Sequence, residues 1–284
     1  MAHNNTIKSL LVCLLLCNFL LVNAAENDGN YPDVSEQVIV TSDNWCPYTC
    51  TTSPETPGIL YDMVKAVLDH ADKKFLYKQA SWQRAIDMVD GDKAHILLGV
   101  NPALAKKIGF NIFPEFHLNI ESAFLVHKSI KNNQFTEAEF MQLKVGYMEK
   151  YQYDETGHWD ELLHRHPKSI AVENHLGETH LITLLKKGRI NAAMINVDLA
   201  NHYLEEWGIG DDYRYVHMDI HIPIYIAFNQ SDIGLNVMQM FIQEYSAVSA
   251  DGTLEELMTK YQANKTLTGL AALNLAKHKH SKIH

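Results

Sequence analysis

Apolar residues along this 284-residue chain recur with two different periods. Val38 to Thr41 is a β-branched run bounded by Ser42, Asp43 and Asn44, which predicts a buried strand. Ile59, Leu60, Met63, Val64, Val67 and Leu68 recur at helical spacing after the turn-rich segment Ser53 to Gly58. Phe75 to Lys78 predicts a short strand. Ser81 is placed to cap a helix carrying Trp82, Ile86 and Val89 and stopped by Gly91. His95 to Val100 predicts another buried strand. This strand–helix–strand order implies a parallel sheet with right-handed crossovers.

The pattern then repeats. A strand over Ser122 to Val126 leads into a polar linker, Lys128 to Gln134, and Thr136 with Glu139 makes a capping box. Strands are expected at Lys144–Met148, Ser169–Val172 and Ala192–Ile195. Helices are expected at Tyr153–His164, Leu176–Lys187, with Gly188 just past its end, and Val197–Trp207. Ile222 to Phe228 is strand-like and would return the chain to the first half. Helices follow over Ile233–Val248 and from a second capping box, Thr253 and Glu256, to about Tyr261. The fold class is α/β, with two lobes of similar build.

The N-terminus is set apart from this pattern. Lys8 precedes an apolar run, Leu10 to Val22, and Val22-Asn23-Ala24 supplies small or apolar residues for cleavage. This is a secretory signal peptide over residues 1–24, cut after Ala24. Val12 and Leu16 stand before Cys13 and Cys17 where lipoprotein processing needs a small residue. Removing the segment takes Lys8 away and moves the formal charge from −10 to −11. An acidic exported chain is a poor binder of nucleic acid or anionic membrane. Cys46 and Cys50 remain, and an oxidising compartment permits their disulfide. The pair reads either as a local staple, the favoured reading, or as a redox or metal pair.

In open α/β sheets ligands bind past the carboxyl ends of the strands. The loop after Val38–Thr41 is therefore the first place to look for a site, and Trp45, Pro47 and Tyr48 offer rigid surface there.

Trp45-Cys46-Pro47-Tyr48, Gly58 to Asp62, Ser81-Trp82, the strand to Gly99, Lys144-Val145-Gly146, Leu185 to Ala192 and Ile222-Pro223-Ile224-Tyr225 stand in an ordered set. Over Glu36 to about Gln262 the chain resembles the bacterial extracellular solute-binding proteins of family 3, which include the amino-acid receptors of ABC importers. The resemblance implies two α/β lobes joined by two hinge strands, near Ser122–Lys128 and Ile222–Phe228, with a ligand cleft between them. Lobe 1 would comprise 25–124 and 225–262, and lobe 2 would comprise 125–224. Residues 263–284 would form a flexible tail. It also implies a periplasmic monomer whose partners are a small-molecule ligand and a membrane permease or receptor, with no cofactor.

By the same resemblance, Trp45 and Trp82 supply the aromatic walls of the cleft. Arg84 and Lys106 or Lys107 are the anion contacts, and Asn101 takes a position that is Thr in the amino-acid receptors. Asn196 takes the place of an Asp that pairs with the ligand ammonium, with Asp198 two residues on. Glu149 and Tyr151 fall in the facing loop of lobe 2, where Lys150 replaces a glycine. Asp43 and Tyr48 complete the candidate set. Losing two charge-assisted contacts, each about 1.5–3 kcal/mol, disfavours an ordinary zwitterionic amino acid. A small polar or amphipathic organic solute, with an aromatic or amphipathic body and fewer formal charges, is expected.

Other chemistry is poorly supported. His217 and His221 have i, i+4 spacing, but the β-like run and Pro223 argue against a helical metal pair, and no metal is expected there. No nucleophile elbow, phosphate loop or HExxH is present, so the chain is not read as an enzyme. Two alternatives remain: a sensory or accessory binding module for a membrane receptor, and a dehydratase-like enzyme drawing on Glu149, Asp43 or His95.

Overall fold

The computed structural model describes residues 37–50, 55–149, 151–173 and 177–263. The segment expected to be a signal peptide, the turn expected at Ser53-Pro54, Lys150, the helix start expected at Leu176 and the basic tail lie outside them. One mixed sheet of eight strands organises the described residues, in the order β2-β1-β3-β8-β4-β7-β5-β6.

β1 (Gln37–Ser42) lies parallel to β2 (Lys74–Gln79) and β3 (Ile96–Val100). α1 (Ile59–His70) and α2 (Trp82–Asp90) make the crossovers. The six apolar positions predicted for α1 are all buried. Ser81 precedes α2, but its hydroxyl makes no capping bond.

The second half repeats this build. β5 (Val145–Met148) lies parallel to β6 (Ser169–Val172) and β7 (Ala192–Asn196). α5 (His158–Arg165), α6 (Thr179–Lys186) and α7 (Val197–Glu206) connect and cover them. α5 begins five residues later than expected. The Asp154 carboxylate accepts the backbone N–H of Thr156 at 2.8 Å and of Trp159 at 2.8 Å, so a side-chain-stabilised turn precedes the helix.

Two long antiparallel strands join the halves. β4 (Asn111–His127) and β8 (Tyr213–Phe228) pair with one another along most of their lengths. β8 also pairs with β3, and β4 with β7. Only Ser122–Val126 and Ile222–Phe228 were expected as strands. The missed portions carry His, Asn, Glu and Asp among their apolar residues, together with Pro114, and so lack a continuous apolar signal. A register shift lies where Ser122 pairs with Ile220 but Ala123 pairs with His217. Met218 and Asp219, the latter at φ 54°, bulge out there.

Three shorter elements complete the order. α3 (Pro102–Ile108) was not expected; Asn101 caps it, accepting Leu104 N–H at 2.8 Å, and Pro102 opens it. α4 (Glu137–Phe140) has the capping box foreseen at Thr136 and Glu139. α8 (Asp232–Ala250) and α9 (Thr253–Ala263) close the chain. The second capping box is not formed: Thr253 is already helical, and the Asp251 carboxylate accepts its N–H at 2.8 Å.

Candidate functional site

The carboxyl ends of β1 and β3 and the loop after β5 converge on one cavity of about 230 Å³. Its floor is apolar, formed by Ile120 of β4 and by Ile222 and Ile224 of β8, the strands shared by both halves. Asp43, Trp45, Trp82, Asn101, Leu104 and Lys107 line it from the first half, and Tyr151 and Gln152 from the second.

The loop carrying Trp45 is held from several sides. Trp45 N–H donates to Thr49 O at 2.7 Å, and Thr49 N–H to Trp45 O at 2.9 Å. Cys46 and Cys50 form a disulfide inside this loop, which the sequence reading favoured as a staple. Leu60 N–H, in the first turn of α1, donates to Tyr48 O at 3.1 Å. Gly58, at φ 111°, packs so closely on that carbonyl that any Cβ would overlap it. Gly99, at φ 86°, leaves room for the indole: a Cβ there would stand 3.2 Å from the Trp45 ring.

Tyr153 fixes the facing loop. Its hydroxyl accepts Met148 N–H at 2.7 Å, and the ring is buried. This holds the Tyr151–Tyr153 turn against β5 and leaves Tyr151 facing the cavity.

Polar contacts cross the cleft beside the cavity. Trp45 Nε1–H donates to Glu178 Oε2 at 2.9 Å, and Asn196 N–H donates to Glu178 Oε1 at 3.0 Å. Tyr48 O–H donates to Asp198 Oδ2 at 2.8 Å and accepts from Asn196 Nδ2 at 3.2 Å. Burial raises both nearby carboxyl groups. Glu178 is pushed up to about 7 against the bonds from Asn196 and Trp45, and Asp43 to about 6. The Asp43 carboxylate, where it is ionised, adds to the rise of Glu178.

Of the candidate residues, Asp43, Trp45, Trp82, Asn101 and Tyr151 come together on the cavity. Tyr48 and Asn196 stand beside it in the cross-cleft cluster, almost fully buried. Asn196 Oδ1 is also the N-cap of α7, accepting Leu199 N–H at 2.8 Å. Arg84 lines a separate depression with Lys78 and Lys93. Lys107 rather than Lys106 lines the cavity. Glu149 is not among the lining residues; its N–H bonds Val172 O at 2.8 Å. His95 sits at the opposite end of β3 and accepts Ile39 N–H at 3.2 Å, so it braces the strand. His217 and His221 each face a carboxylate, Glu121 at 2.5 Å and Asp219 at 3.3 Å.

Glu178 was missed. The signal that could have found it is its place just before α6, beyond the carboxyl end of β6, on the sheet edge where ligand sites form. Ile120, Ile222 and Ile224 were missed as cavity residues because they read as ordinary strand interior.

No protein-family model and no curated protein matches the sequence. Solved structures do. The substrate binding protein of an ABC uptake transporter from Streptococcus pneumoniae with bound histidine superposes with a TM-score of 0.68, at 15% identity over 88% of this chain and 100% of that one. A histidine kinase sensor domain with similarity to periplasmic binding proteins gives 0.67, at 13% identity over 81% of this chain and 97% of that one. An ancestral amino acid-binding protein, a precursor of cyclohexadienyl dehydratase, gives 0.61, at 16% identity over 80% and 95%. These similarities, with the two β-α halves joined through β4 and β8, establish the periplasmic-binding-protein fold for this chain.

Proposed function

We propose that this protein is an exported solute-binding protein of the periplasm. It captures a small amphipathic organic solute in the inter-lobe cavity, without catalysis, and delivers it to a membrane partner, an ABC importer. The observation that carries the reading is the cavity itself: a chamber of about 230 Å³ whose aromatic and aliphatic walls come from both halves, with few charged groups on its lining. Trp45, Trp82 and Tyr151 grip the apolar body of the ligand. Lys107, Asn101 and Gln152 meet its polar end. Lobe 1 is taken as 25–124 with 225–262, and lobe 2 as 125–224. β4 and β8 act as the hinge, and ligand shifts the population toward the closed arrangement.

Sensing is the second reading, favoured by the likeness to a histidine kinase sensor domain. Both roles use the same cleft, so they separate at the partner. Co-purification with a permease and its ATPase supports transport, and co-purification with a membrane receptor supports sensing. The binding reading itself is tested by a thermal-shift screen of residues 25–284 against amino acids, small carboxylates, polyamines and aromatic acids. A ligand at a hundred times its dissociation constant adds about 2.7 kcal/mol of stability. Stabilisation by an organic solute that Trp82→Ala abolishes supports the proposal; solutes that stabilise both forms equally contradict it.

A further inference from the structure

The Cys46–Cys50 disulfide faces a histidine from the other half of the molecule. A ring nitrogen of His202, on α7, and the sulfurs of Cys46 and Cys50, on the loop after β1, all lie within 4.8 Å of one another. The cysteines are buried and His202 is half-buried. Among the described residues this is the group of three or more metal-type ligands drawn together.

We propose that reducing the disulfide turns this cluster into a binding site for one soft, thiophilic cation, held by Cys46 Sγ, Cys50 Sγ and His202. Thiolate and imidazole ligands select cuprous copper, zinc or cadmium over hard cations such as magnesium and calcium. Metal–sulfur and metal–nitrogen bonds of about 2.0–2.3 Å place ligand atoms about 3.5–4 Å apart. The three donor atoms already lie within 4.8 Å of one another, and rotation of the freed Cys46 and Cys50 side chains opens the sulfurs to that spacing. The Glu206 carboxylate, one helical turn along α7, stands 3.7 Å from His202 Nε2.

The chemistry is a redox gate. A dithiol reductant supplies two electrons and two protons, itself becoming a disulfide, and leaves Cys46 and Cys50 as thiols. The cation displaces both thiol protons to solvent and bonds the two sulfurs. The oxidised form has no thiolate to offer. Because the ligands come from the β1 loop and from α7, the bound cation ties the two halves together.

The test uses residues 25–284, a phosphine reductant and cadmium. Reduced protein should show a thiolate-to-cadmium charge-transfer band that saturates at one equivalent, and oxidised protein should show none. His202→Ala should weaken binding at least tenfold, and Cys46→Ser with Cys50→Ser should abolish the band. An unchanged affinity in His202→Ala would reduce the site to two thiols and overturn the proposal. So would a reduced protein that binds no more tightly than the double serine variant. Loss of the native near-ultraviolet circular dichroism on reduction, not restored by cadmium, would overturn it as well. The serine variant folds or fails independently of metal and controls for the missing disulfide.

Discussion

Trp45 Nε1–H donates to the Glu178 carboxylate at 2.9 Å and thereby joins the first half of the sheet to the second across the cleft. The same carboxylate accepts Asn196 N–H at the carboxyl end of β7. Glu178 is thus a short bridge between the aromatic wall of the cavity and the strand opposite it.

Its burial sets a pH dependence. Glu178 is raised to about 7 and Asp43 to about 6. A carboxyl raised in the folded state contributes stability that is complete below its unfolded pKa and is lost as pH rises through the folded value. The melting temperature should therefore fall as pH is raised from about 4.5 to 8. For Glu178 alone the difference is roughly 3 kcal/mol. Glu178→Gln should flatten the slope in calorimetric melts at a series of pH values; an unchanged slope would show that Glu178 does not titrate in this window.

Tyr48→Phe removes the hydroxyl that donates to Asp198 and accepts from Asn196. Losing a buried partner of this kind costs about 1–3 kcal/mol. Urea denaturation should place the variant within that range. Because Tyr48 lies outside the cavity lining, solute binding should survive.

Gly58→Ala forces a Cβ onto the Tyr48 carbonyl at φ 111°. Strain and overlap together should cost well over 1 kcal/mol. Gly99→Ala differs, because its Cβ meets a side chain, the Trp45 ring, at 3.2 Å. That indole can shift, so Gly99→Ala escapes the backbone overlap, keeps the strain of its φ of 86°, and should also lose solute affinity through displacement of the Trp45 ring. Comparing melting temperature with calorimetric affinity for both variants checks the distinction.

Lys106 and Lys107 are adjacent on α3, but Lys107 alone of the two lines the cavity. For an anionic solute, Lys107→Ala should weaken binding by several-fold to tenfold, and Lys106→Ala should leave it unchanged. Equal effects would place the anion outside the cavity.

Much of this was legible in the residues. Buried parallel strands such as Val38–Thr41 and Ala192–Ile195 announce themselves as apolar runs, and α1 by its helical stripe. Trp45, Trp82 and Asn101 lie at strand ends where such folds place ligands, and all three line the cavity. The long strands β4 and β8 were only half visible. Away from the sheet centre they alternate polar with apolar residues, and their pairing comes from chain segments about a hundred residues apart. The bond from Trp45 to Glu178 was invisible for the same reason: it joins side chains 133 residues apart. Arg84 and Lys106 show the converse limit, since a helix shows only which side chains share a face and leaves open which of them meets a cavity.

The most direct test of a solute-binding cleft is isothermal titration of residues 25–284 with the best solute from the screen, side by side with Trp82→Ala. The expected result is one site per chain with a negative heat-capacity change, from burial of apolar surface against the indole, and at least a tenfold loss in the variant. Equal affinity in the two proteins would contradict ligand capture between the lobes.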